Sequence, residues 1–128
     1  MKGSLKLRPR RALNRAEAWG CFTANLAVPG SGSLAAGYAI GYGQMAAAFL
    51  AEFLTCLTGI PMIQWGIPMV QRVLSGDDAS AYLSEIWLHL RWPVAGIGLF
   101  VLSVLWAMTT SLTILAHAPR TGVPPRIV

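Results

Sequence analysis

Apolar residues in this chain come in long unbroken runs, with polar residues gathered at the breaks between them. Residues 35–63 form the longest run, and Glu52 is the one ionisable residue in it. A second run covers residues 93–117. Runs of this length and polarity predict helices that cross a bilayer, whose hydrocarbon core takes about 20 residues of helix. A shorter periodic stretch, 15–28, places Trp19, Phe22 and Leu26, with Cys21 or Asn25, at spacings of three and four. It predicts a helix too short to span, lying at the interface or packing as a half-helix. Between the long runs, 78–91 reads as an amphipathic helix. Tyr82, Leu83, Ile86, Trp87 and Leu90 share one face, and Ser84, Glu85 and His89 share another.

The expected architecture is therefore an all-α membrane protein, two transmembrane helices forming a hairpin. A basic tail (1–14) and an interfacial helix (15–28) precede the first span (34–63). A loop (64–91) carries the amphipathic helix, the second span (93–117) follows, and the tail (118–128) is extended.

Small residues recur every fourth position through the first span: Ala35, Ala39, Gly43, Ala47, Ala51, Thr55 and Gly59. Small residues let helix backbones approach in lipid, so this stripe is read as a packing face. A four-residue step advances about 400° against a 360° turn, so the stripe winds around the helix. It needs a right-handed crossing or two partners in succession. In the second span Ser103, Ala107 and Ser111 leave comparable room.

Val28-Pro29-Gly30-Ser31-Gly32-Ser33 breaks the chain before the first span. Proline removes a backbone donor and the glycines admit positive φ, so Pro29, Gly30 and Gly32 are read as a tight re-entry turn at the membrane surface. Ser33 or Ser31 is the expected cap of the helix that follows. A glycine-rich turn can cradle phosphate, but this one lacks the Lys-Ser/Thr pair of a nucleotide loop. Pro61 and Pro68, with Gly59 and Gly66, are expected to end or kink the first span, and Trp92-Pro93 to open the second. Trp19, Tyr38, Tyr42, Trp65, Trp87 and Trp92 fall where interface anchors belong. Asn25 is expected to hydrogen-bond within its helix or to the turn after it.

Charge refines the topology. Only 12% of residues are charged, against about 25% in an average soluble domain. Six of the ten basic residues (Lys2, Lys6, Arg8, Arg10, Arg11, Arg15) precede the first break. Arg120 and Arg126 follow the last span, and Asp77, Asp78 and Glu85 lie between the spans. The positive-inside rule then puts both termini in the cytoplasm. The net charge of +5 reflects this topology and not nucleic acid; the basic tail is read first as a topology signal, and second as a segment that can lie on anionic lipid headgroups. A cleaved signal peptide fits less well, because the basic region is long and Pro-Gly interrupts the apolar one.

Candidate chemistry is sparse. Cys21 and Cys56 sit in apolar context and make no disulfide framework. His89 and His117 lack companions for a metal or haem site. No nucleophile–base pair or cofactor fingerprint is present, so the chain is read as non-catalytic and without cofactor. Glu52 is the functional candidate, since a carboxylate at mid-membrane costs about 2.5–3.5 kcal/mol by insertion scales. Three readings stay open: contact with a partner, a neutral structural acid, or a wet path for an ion or proton.

The stretch from Val28 to Gly37, continuing to Gly41 and Gln44, resembles uncharacterised small bacterial membrane proteins with a Pro-Gly-x-Gly-Ser turn. It is distantly similar to the two-transmembrane domain family, whose first helix opens on a glycine-rich segment with a spaced Gly…Gln. The matching second helix would be 98–118, with Trp106 near its centre. The family's His-Arg-Phe-Tyr-like cluster is replaced here by Ser33-Leu34-Ala35-Ala36. Its acidic residue is missing near Thr109 and Thr110. The resemblance implies architecture and a bacterial inner-membrane location, and no activity. The function expected is that of an accessory or scaffolding subunit packing against other helices of a membrane complex. The alternative is a small homo-oligomeric transporter using Glu52.

Overall fold

The computed structural model describes residues 13–119. Most of the basic tail (1–12) and of the C-terminal tail (120–128) lie outside the described residues. Within them the chain is helical: α1 (Arg15–Ala27), α2 (Ser31–Ala35), α3 (Ile40–Leu74), a 3-10 turn (Ala79–Tyr82) and α4 (Leu83–His117). Two compact units are present. One comprises Met1–Ala48 with Leu102–Val128, the other Phe49–Val101.

α1 starts on a capping box. Asn14 Oδ1 accepts from the Glu17 amide and Glu17 Oε2 accepts from the Asn14 amide, both at 2.8 Å. It stops one residue short of Pro29, whose ring disfavours helical backbone in the residue before it. Its buried face is Ala18, Cys21 and Asn25, while Trp19 and Leu26 are half exposed. Of the periodic residues 19, 22 and 26, Trp19 and Leu26 point outward and Phe22 is half-buried, so the small and polar members Cys21 and Asn25 form the inner side. The physical reason is proximity: Gly32 lies directly against the Cys21 carbonyl, leaving room only for small side chains on that side.

Both long helices are longer than the spans expected. α3 runs on through Pro61 and Pro68 to Leu74, and α4 contains Pro93 in its interior. The amphipathic segment is the first part of α4, not a separate element. Each interior proline removes one helical hydrogen bond at about 3 kcal/mol or more. The shielded positions nevertheless fall on one face of each helix. On α3 the shielded positions are Gln44, Ala48, Ala51, Thr55, Thr58, Met62, Trp65 and Met69. On α4 they include Ile86, His89, Pro93, Gly96, Phe100, Ser103, Ala107, Thr110 and Ile114. Steps of three and four alternate, the 3.5-residue repeat of a left-handed seam, not the four-residue repeat of a right-handed one. The four-residue stripe accordingly drifts off this face. Ala51 is buried, Ala47, Thr55 and Gly59 are half-buried, and Gly43 is exposed. Ala35 and Ala39 precede α3 altogether.

In the unit Phe49–Val101, α3 and α4 run antiparallel. Thr55 meets Gly96, and the Trp65 and His89 rings stack at 4.3 Å with 5° between their planes. His89, expected on the wet side, thus faces α3. Its Nδ1 lies 2.9 Å from the Glu85 carbonyl. The connecting turn closes α3 with a Schellman motif on Gly76 (φ 112°), in which Asp77 N donates to Arg72 O and Gly76 N to Val73 O. Asp78 then caps the 3-10 turn, accepting from the Ser80 hydroxyl (2.7 Å) and amide (2.9 Å). Those two bonds hold its carboxyl below the usual range. Tyr82 donates its hydroxyl to Asp77 at 2.8 Å.

Two helices, 40–74 and 79–117 with the 3-10 turn included, are long and apolar enough to cross a membrane, with mean hydropathy of 1.7 and 2.0 over their most apolar windows. At 1.5 Å per residue, α3 is about 52 Å long, more than the roughly 30 Å a bilayer core requires.

Candidate functional site

The unit formed by the chain's two ends has a polar centre. Its bulkiest wholly buried side chains are Gln44, Asn25, Ser33 and Ser111. Asn25, on the last turn of α1, sits at the middle. Its Oδ1 accepts three backbone amides from the Pro-Gly turn: Gly30 (3.1 Å), Gly32 (2.8 Å) and Ser33 (3.1 Å). Its Nδ2 donates to Ser33 Oγ (3.0 Å), Ser111 Oγ (2.8 Å) and the Ala107 carbonyl (3.3 Å). Three amide donors on one oxygen settle the orientation of the carboxamide. Ser33 passes the network on, donating to Gln44 Oε1 at 2.8 Å. Gln44 Nε2 donates to Thr110 Oγ1 at 2.8 Å.

This arrangement replaces the cap expected from Ser31 or Ser33. Gly30, the residue before α2, has no side chain to offer. Ser31 donates back to Ala24 and Val28, and Ser33 to Gln44. The carboxamide of a neighbouring helix caps α2 instead. The turn is enclosed by neighbouring segments of the chain, since Pro29, Gly30 and Gly32 are all buried. Gly30, at φ 97°, is pressed against the Gly41 carbonyl, and a side-chain carbon on Gly41 would lie 2.5 Å from the Gly30 oxygen. The spaced glycines serve that backbone contact. Ala36, Ile114, Ala18 and Cys21 complete the core around the network. Burial, and secondarily the Glu17 carboxylate, push the Cys21 thiol up, which leaves it protonated and inert.

The second feature lies in the other unit. Glu52 is exposed on α3, about 18 Å along from Ile40. It lines a shallow groove of about 330 Å³ with Thr55, Cys56, Ile97 and Phe100. A second groove, of about 520 Å³, is almost wholly apolar and is lined by Met62, Trp65, Met69 and Ile86 among others.

The remaining candidates separate by position. Ala51, Ser103, Ala107 and Ser111 are buried inside the chain, and Tyr38 and Trp65 are half-buried. Trp19, Tyr42, Trp87 and Trp92 stay exposed at 49%, 65%, 63% and 52%, outward as anchors require. Asn25 bonds the turn after its helix, as expected from the sequence. Its reach to the Ala107 carbonyl and Ser111, and the Ser33–Gln44–Thr110 chain, are what sequence reasoning did not single out. The available signal was the position of two amide side chains in otherwise apolar helical stretches, one just before and one just after the glycine turn. The polar node can hold helices in register, since every buried side-chain polar atom among the described residues has a partner. Among the described residues no cluster of His, Cys, Asp or Glu could hold a metal. No family model, curated protein or solved structure matches the chain.

Proposed function

We propose that this chain is an integral membrane protein whose helical hairpin serves as an accessory or scaffolding subunit of a larger membrane assembly. The observation that carries the reading is the outward placement of large apolar side chains. Phe49, Leu50, Phe53, Leu57, Ile60, Ile63 and Ile67 on α3 are all 58–65% exposed. Only 11% and 22% of the most apolar windows of the two long helices are buried, whereas a soluble core helix would be mostly buried. Such helices need lipid or partner helices around them. The polar node supports a rigid structural role, because satisfied networks hold one arrangement. Orientation follows from the basic terminal segments, with both ends on the cytoplasmic side of a bacterial inner membrane. α1 then rests near the headgroups.

The test is gentle detergent extraction from the native membrane, native-gel separation and mass spectrometry of what travels with the chain. Co-migration with other subunits in fixed ratio is expected. Migration as a small homo-oligomer would overturn the reading. It would favour the second one, a transporter built on the exposed Glu52, which requires ion or proton flux in vesicles of the purified chain.

A further inference from the structure

Resting on the membrane-subunit reading, we propose that the Glu52 groove is the seat of a transmembrane helix from a different protein that brings a lysine or arginine side chain to the level of Glu52. Three observations carry this. Glu52 is exposed within an otherwise apolar groove, so its carboxylate meets whatever packs there. The approach is open: Cys56 in the lining is small, and beyond the groove a side-chain carbon added at Gly59, two turns along from Glu52, would meet nothing within 4 Å. Glu52, Cys56, Gly59 and Ile63 also repeat at steps of four, three and four, a second helix-receiving line beside the buried seam.

Charge decides among the occupants. A lipid chain offers the carboxylate no counterion. A second copy of the same orientation offers none at that level: Arg72 lies about 30 Å along α3 from Glu52, Arg91 lies on the connecting-turn side of the Gly96 that meets Thr55, and the rest of Ile40–Leu74 and Leu83–His117 holds no lysine or arginine. The cation therefore comes from another chain. Charged side chains inside membranes characteristically pair in this way.

The probe is a synthetic leucine-rich transmembrane peptide carrying a dansyl group, with lysine at its midpoint or leucine there instead. The full chain is reconstituted in neutral lipid vesicles, and energy transfer from its tryptophans to dansyl reports association. The lysine peptide is expected to associate about tenfold more tightly than the leucine peptide. Glu52→Gln should abolish that preference. Glu52→Lys should transfer it to a peptide with midpoint glutamate, a rescue that excludes misfolding as the cause. Equal association of the lysine and leucine peptides, or a preference unchanged in Glu52→Gln, would overturn the proposal and assign the groove to lipid. Glu52-dependent transfer between labelled copies of the chain, with no peptide preference, would overturn it in favour of self-association. Neither outcome touches the subunit reading, which stands or falls on co-migration in native extracts.

Discussion

Replacing Asn25 by leucine removes six hydrogen-bonding contacts at one stroke, those of Nδ2 shared among its two N–H groups, and they are not equal. The three made by Nδ2 run to two hydroxyls and a carbonyl. Hydroxyls can rotate to other acceptors, and side-chain bonds between membrane helices average only about 0.6 kcal/mol. That half amounts to about 1–2 kcal/mol. The three amides of Gly30, Gly32 and Ser33 that point at Oδ1 have no such freedom, because the turn that carries them is buried. Each orphaned buried donor costs about 1–3 kcal/mol, so even partial relaxation leaves about 3 kcal/mol. The backbone half dominates. Asn25→Asp then becomes the informative comparison. It keeps an acceptor for the three amides but sets a second oxygen against the Ala107 carbonyl, so it should fall between wild type and Asn25→Leu. Thermal melting of the detergent-solubilised protein, followed by tryptophan fluorescence, separates the three. At about 4 °C per kcal/mol, the value between those of smaller and larger domains, Asn25→Leu should melt more than about 10 °C below wild type. Melting of Asn25→Leu within 2 °C of wild type would refute the argument that this carboxamide caps α2.

Two further outcomes follow from particular contacts. Gly96→Val should lower the melting temperature at a cost of about 1–3 kcal/mol, because its Cβ would press on the Thr55 hydroxyl and lie 3.0 Å from the Thr55 amide. Gly98→Val, where the space is open, should leave melting nearly unchanged, and equal effects at the two positions would count against the packing described. The Asp78 cap is pH-dependent: its carboxyl lies below the ordinary value of about 3.9, so its contribution is present above that value and fades as pH falls through the lowered one. Proteolysis at the turn by an acid-active protease should therefore accelerate with falling pH in wild type. The acceleration should be weaker in Asn-substituted Asp78, and identical pH profiles would remove Asp78 as the cause.

The hydrophobic pattern by itself determined the all-helical class and the two long apolar helices, because only chains of that length and polarity make such helices stable. It also located the glycine turn at residues 28–33. Helix ends were less legible. Prolines at positions 61, 68 and 93 are local breakers, and sequence has no view of the seam that carries the helices through them. The four-residue stripe and the internal face coincide only in part, at Ala51 and Thr55, for a related reason: small residues permit close approach, but which side is approached within the chain depends on the 3.5-residue register that tertiary contact imposes. The polar node was hidden most fully. Asn25, Ser33, Gln44, Thr110 and Ser111 are up to 86 positions apart, and each alone reads as an ordinary turn or helix residue. Only the tertiary structure decided that they meet, because a buried carboxamide is stable only where enough donors and acceptors converge on it.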